Sequence, residues 1–189
     1  MLAQLLYQIL DWLCGFFTLA LLARCIMQWT RASFRNPLGT FVVAVTDWAV
    51  KPARRFVPSA FGIDLPSLLL AWLTQALFHG LVFALSGAAI LPSAFGGVAL
   101  LAVISVLRVG IYLLMGVVIV SALLSWINPH APLAPVINTV ARPFLRPVQR
   151  VIPLVGGVDL SPVVLLLALQ ILLTMLASLQ RMLHPFVIG

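Results

Sequence analysis

Four long apolar stretches alternate with polar, proline-bearing connectors along the chain, at about 5–27, 65–85, 98–127 and 162–179. An α-helix needs roughly 20 apolar residues to cross a hydrocarbon core about 30 Å thick. All four stretches meet that requirement, and the third is long enough to tilt or to extend beyond the bilayer. Trp29 and Trp126 close the first and third stretches, where aromatic side chains anchor a helix at the membrane interface. The pattern predicts an all-α membrane protein with four transmembrane helices.

The connectors carry a different periodicity. After Asn36-Pro37, residues Leu38, Phe41, Val42, Val45, Trp48 and Ala49 recur at helical spacing. Proline suits the first helical position, and Lys51-Pro52 is expected to stop the helix. This predicts a short amphipathic helix, lying on the inner membrane face or packing on the spans or a partner. The later connector has a weaker equivalent in Leu133, Val136, Ile137, Val140 and Phe144, which prolines 132, 135, 143 and 147 should shorten. Two similar turns follow, Gly62-Ile-Asp-Leu-Pro-Ser67 and Gly156-Gly-Val-Asp-Leu-Ser-Pro162. Gly62 and Gly157 permit tight turns. Asp64, Asp159 and Ser161 are placed to cap the next span, with Pro66 and Pro162 in its first turn. The functional alternative pairs Asp64 with Arg55 and Asp159 with Arg150, or makes the two carboxylates a cation site.

Charge sets an expected orientation. The segment 28–64 holds Arg31, Arg35, Lys51, Arg54 and Arg55, and the segment 128–159 holds Arg142, Arg146 and Arg150. The segment 86–97 holds no basic residue, nor does the amino-terminal end, and Arg181 alone lies near the carboxyl-terminal end. The positive-inside rule then places both basic loops in the cytoplasm and both termini outside, as in a multi-pass protein of the bacterial inner membrane. Met1–Leu10 lacks a basic n-region, so a cleaved signal peptide is not expected.

A shift of 95 residues aligns Lys51–Leu65 with Arg146–Leu160, pairing Pro52 with Pro147, Arg55 with Arg150, Pro58 with Pro153, Gly62 with Gly157 and Asp64 with Asp159. Trp29 meets Trp126 at a shift of 97. The chain therefore reads as two copies of helix, basic amphipathic loop, helix, at 1–85 and 98–189, joined by a short external linker at 86–97. Two spans per copy return the chain to its starting side. The copies are thus expected to be parallel repeats about a pseudo-twofold along the membrane normal. The shift of 97 also pairs Asp11 with Arg108, the least expected charges in the spans. Intramembrane charges face the bundle interior and tend to pair, which predicts an ion pair between the first and third spans in the outer half of the membrane; the alternative is that both side chains snorkel outward.

Composition narrows the chemistry. The chain is 63% hydrophobic and 8% charged, against about 25% charged in soluble domains. Its net charge of +7 is expected to serve anionic lipid head groups, not nucleic acid, because no basic domain stands outside the spans. Lys51, Arg54, Arg55, Arg146 and Arg150 are the candidate contacts to lipid or to a partner protein. Four Asp and no Glu leave few acid–base candidates. His79, His130 and His184 are far apart, no His/Cys spacing suggests a metal site, and nucleotide fingerprints are missing. Neither enzyme activity nor a cofactor is expected.

Leu124-Ser-Trp-Ile-Asn-Pro129, Arg142-Pro-Phe-Leu-Arg-Pro-Val-Gln-Arg-Val-Ile-Pro153 and Gly156-Gly-Val-Asp-Leu-Ser-Pro162 resemble the YggT family of bacterial and plastid membrane proteins. The first copy resembles it more loosely, through Arg24, Trp29, Asn36-Pro37, Asp47, Lys51-Pro52, Arg55, Pro58 and Gly62-Ile-Asp-Leu65. The family has an acidic residue before the first proline of the basic stretch. Asp47 keeps it, with Trp48 in place of the proline, whereas Arg142 stands there in the second copy. The resemblance implies a small multi-spanning protein linked to osmotic-shock tolerance and ion balance in bacteria, or to cytochrome complex assembly and nucleoid distribution in plastids. Two functions are expected: a non-enzymatic assembly scaffold for membrane homeostasis, including division, or a small oligomeric channel or transporter for ions or osmolytes. Charges quenched in an Asp11–Arg108 pair would favour the scaffold, and charges lining water would favour transport.

Overall fold

The computed structural model of the chain describes residues 2–59, 62–85, 92–128, 130–151 and 159–188. Six α-helices make up the regular structure: α1 (Leu2–Trp29), α2 (Pro37–Ala53), α3 (Leu65–Leu85), α4 (Pro92–Ile127), α5 (Ala134–Val151) and α6 (Ser161–Ile188). Helices α1, α3, α4 and α6 are long and apolar enough to cross a membrane, over Gln4–Trp29, Leu65–Leu85, Phe95–Ile127 and Ser161–Leu183. The order long, short, long therefore occurs twice. Residues 86–91 of the predicted linker lie outside the described residues, as does Gly157, and residues 92–97 belong to α4.

The spans form a bundle in which α1 packs on α3, α3 on α4, and α4 on both α6 and α1. Leu21, Leu22, Val50, Ala71 and Val106 fill one buried cluster, and Ile111, Leu169 and Leu173 another. The outer faces stay apolar: Leu77, Leu167, Ile171 and Met175 are all exposed. A water-soluble monomer rarely exposes so continuous an apolar surface, whereas lipid tails solvate it. The protein is a membrane protein on that ground and by the length of its spans.

The two short helices join the bundle instead of lying free of it. Helix α2 packs on α1 and α3, and α5 on α4 and α6. Gly39, Val42, Thr46 and Val50 form the buried stripe of α2. Its other apolar edge reaches deep along α1, with Phe41 against Phe16 and Trp48 stacked on Phe17 at 5.4 Å. Asn36 caps α2 by accepting the Gly39 amide at 2.9 Å, with Pro37 in the first turn. Helix α5 corrects the expectation from its prolines, for it runs 18 residues through Pro143 and Pro147. These two lie four apart on the exposed face. The carbonyls they leave without an amide partner can therefore be hydrated, which limits the usual cost of proline in a helix.

Helix α1 ends in a Schellman turn. The Ala32 amide bonds the Met27 carbonyl and the Arg31 amide the Gln28 carbonyl, which places Arg31 in the left-handed region at φ 55°. That position normally belongs to glycine.

Candidate functional site

The first unusual feature lies where α1, α2 and α3 meet, at the end of the bundle that bears the short helices. Arg24 is only 6% exposed. A buried guanidinium is tolerated only when paired and hydrogen-bonded. Arg24 Nη1 donates to Thr46 Oγ1 at 2.8 Å and to Asp47 Oδ1 at 2.7 Å, and its Nε lies 3.3 Å from Asp64 Oδ2. Asp64 is fully buried and also takes Arg54 Nη2 at 3.0 Å. Lys51 Nζ pairs with Asp47 Oδ2 at 2.7 Å. Three cations and two carboxylates thus interlock three helices. The hydrogen bonds from Lys51 and then Arg24 hold the Asp47 carboxyl below its usual range.

Asp64 fills the capping role read from its sequence and adds to it. Its carbonyl starts α3 by accepting the Leu68 amide, and its carboxylate accepts Ser67 Oγ at 2.8 Å. Gly62 supplies the turn before it at φ +79°, where a Cβ would be strained. The partner of Asp64 is not Arg55, as the alternative had it, but Arg54 and Arg24. Arg54 bends back to Asp64 and Gln28, while Lys51 and Arg55 remain exposed. In the sequence Arg24 stands out only as one of the residues shared with the YggT family. The signal for more was there, since a charge inside an apolar span seeks a partner.

The matching place in the second half is built from other residues. Asp159 Oδ1 accepts the Ser161 amide at 2.9 Å, and Oδ2 accepts Gln149 Nε2 at 2.8 Å. Ser161 and Pro162 form the buried first turn of α6. Burial works to raise the Asp159 carboxyl, but the hydrogen bonds from Ser161 and Gln149 outweigh it and leave it below its usual range. Arg150 is not its partner among the described residues. Arg142, Arg146 and Arg150 are exposed at successive turns of α5.

The second feature is at the opposite, far end of the bundle. A cavity of about 490 Å³ lies between α1, α3, α4 and α6, and its polar lining includes Asp11, Gln75, His79, Ser105, Arg108 and Gln180. Asp11 lies 18 residues before Trp29 and Arg108 18 before Trp126, which places both about 27 Å from the near end at 1.5 Å per residue. They do not form the expected ion pair: among the described residues no ion pair joins them. Arg108 Nη1 instead donates to Gln180 Oε1 at 3.1 Å. Both residues line the cavity, but among the described residues neither an ion pair nor a hydrogen bond joins them. Around them Gln75 Nε2 donates to Thr18 Oγ1 at 3.0 Å, and His79 Nε2 lies 2.7 Å from Ser105 Oγ. Gln75, Ser105 and Gln180 escaped sequence reading, because an isolated uncharged polar residue in a span has no register to mark it. Among the described residues no group of three or more His, Cys, Asp or Glu side chains could hold a metal ion.

Comparison with known proteins gives a consistent picture. A family model described as CCB3/YggT matches residues 3–85 and again 100–180. The chain is 35% identical over 170 residues to an uncharacterised protein of Pseudomonas aeruginosa, covering 87% of this chain and 84% of that one. It is 33% identical over 166 residues to the uncharacterised protein YggT of Escherichia coli, covering 82% and 80%. A protein of Vibrio alginolyticus described by its place in the proC 3′ region is 33% identical over 156 residues, covering 82% and 83%. No solved structure matches the chain.

Proposed function

The chain belongs to the CCB3/YggT family, and we propose that it is a non-enzymatic inner-membrane protein that admits a small polar or charged solute to the far-end cavity and contributes to ion and osmolyte balance. The observation that carries this reading is that Asp11 and Arg108 line one cavity without neutralising each other. Unpaired charges that line a cavity between spans draw in water, a partner or a ligand. A cavity offering both signs with amide and hydroxyl groups suits a hydrated ion or a zwitterion. Four spans are few for a complete path, so the working form is a homo-oligomer.

In this reading the halves are parallel repeats about a pseudo-twofold along the membrane normal, with the short helices cytoplasmic and the termini outside. The twice-repeated helix order and the two matches to the family model support it. Arg55, Arg146 and Arg150 then face anionic head groups, each contributing about 1 kcal/mol near the surface, while Lys51 and Arg54 are held by Asp47 and Asp64.

Flux through purified protein in liposomes tests the proposal. We expect uptake of an ion or zwitterionic osmolyte that falls about tenfold, equivalent to 1.4 kcal/mol, in Asp11→Asn and in Arg108→Gln. No flux above empty liposomes for any solute would favour the second reading, an assembly scaffold for membrane homeostasis or division. The rigid ion-paired junction of α1, α2 and α3 supports that alternative.

A further inference from the structure

The register that relates the halves sets Ser121 where Arg24 stands, by the shift of 97. The shift of 95 sets Arg142 at the place of Asp47, Gln149 at that of Arg54, and Asp159 at that of Asp64. In the first half Asp47 and Asp64 close on the Arg24 guanidinium, and Arg54 joins them through Asp64. In the second half the same four positions line an open cavity of about 310 Å³, together with Ser125 and Asn138. Ser121 is too short to fill it, and its Oγ lies 2.8 Å from Asn138 Oδ1. At about 30 Å³ per water molecule the space holds roughly ten waters, or a ligand head group.

The charges in this cavity are one of each sign. Arg142 and Asp159 both line it, and no ion pair joins them among the described residues. A lone anion would meet the Asp159 carboxylate, and a lone cation would meet Arg142. A ligand carrying both charges a few bonds apart satisfies each. A planar guanidinium is the side chain best matched to phosphate oxygens, and a carboxylate accepts from an ammonium. The cavity lies beside Trp126 and the first turn of α6, in the layer where lipid head groups sit.

We propose that this cavity binds a phosphoethanolamine group, with Arg142 on the phosphate and Asp159 on the ammonium, in the space that Arg24 occupies in the first half. The site is separate from the far-end cavity and stands whether or not that cavity carries solute.

The test uses full-length protein purified in mild detergent and exposed to equal amounts of phosphatidylethanolamine and phosphatidylglycerol, with bound lipid read by native mass spectrometry. Soluble phosphoethanolamine is titrated separately. The wild type should retain one phosphatidylethanolamine with about tenfold preference over phosphatidylglycerol, equivalent to 1.4 kcal/mol. Binding of the soluble head group at comparable concentration would support the same chemistry and identify a free source. Ser121→Arg, which returns a guanidinium to the cavity, and the exposed Arg142→Gln should each lose the preference while keeping the wild-type helical content. Equal retention of the two lipids with no response to soluble phosphoethanolamine would overturn the proposal. So would folded Ser121→Arg and Arg142→Gln proteins that bind as the wild type does.

Discussion

The near ends of the two halves solve one structural problem in opposite ways. In the first, Arg24 is buried and paired; its hydrogen bonds tie α2 to α1, and its ion pair with Asp64 holds the start of α3. In the second, Ser121 replaces that guanidinium, Arg142 replaces the Asp47 carboxylate, and a cavity remains. Three exchanges, Ser121 for Arg24, Arg142 for Asp47 and Gln149 for Arg54, accompany the change from a closed junction to an open one. The difference teaches that the two-span unit holds together without its central salt bridge. In the second half Val118, Ala141 and Leu145 form the buried apolar contact between α4 and α5. A buried ion pair is often no more stabilising than apolar packing, although breaking one is costly.

The largest test of that contrast is removal of the cation. Arg24→Met removes one cation from Asp64 and from Asp47, which keep Arg54 and Lys51, and should destabilise the protein by about 3 kcal/mol, read by thermal unfolding in micelles. Ser121→Ala, at the equivalent position, should cost no more than about 1 kcal/mol. A similar loss for the two would remove the distinction between the halves.

Next comes Gly39, in the buried stripe of α2. A Cβ there would sit 2.6 Å from the backbone of Phe34, so Gly39→Ala should cost about 1–3 kcal/mol by overpacking, in the same unfolding assay. A smaller effect comes from Arg31, held at φ 55°. Arg31→Gly should stabilise the α1 terminus by about 1 kcal/mol, because it relieves a left-handed residue. The smallest is a pH effect. The Asp47 carboxyl is held low in the folded protein, so its contribution is full above its unfolded pKa of about 3.9. The contribution fades as pH falls through the lower folded value. Acid unfolding of the wild type below about pH 4 should therefore be steeper than that of Asp47→Asn.

Much of this was legible in the sequence because hydrophobic length and turn chemistry are local. The four spans, the start of α2 at Pro37, the Gly62 turn and the Asp64 cap all follow from residues within a few positions of each other. The length of α5 did not follow, because tolerance of Pro143 and Pro147 depends on which face tertiary packing leaves exposed. The partners of Arg24 and Asp64 did not follow either, since the helix crossings choose among the nearby arginines. The Asp11–Arg108 expectation failed for a related reason: register reveals equivalence, and distance across a bundle is set by side chains elsewhere.

Comparing the halves position by position requires both to enter the membrane in the same sense. The most direct measurement is labelling of single cysteines with a membrane-impermeant thiol reagent in oriented vesicles, with Cys14 and Cys25 replaced. The account predicts that Lys51→Cys and Arg146→Cys react from the same side and Gln4→Cys from the other. Reaction of Lys51→Cys and Arg146→Cys from opposite sides would contradict it.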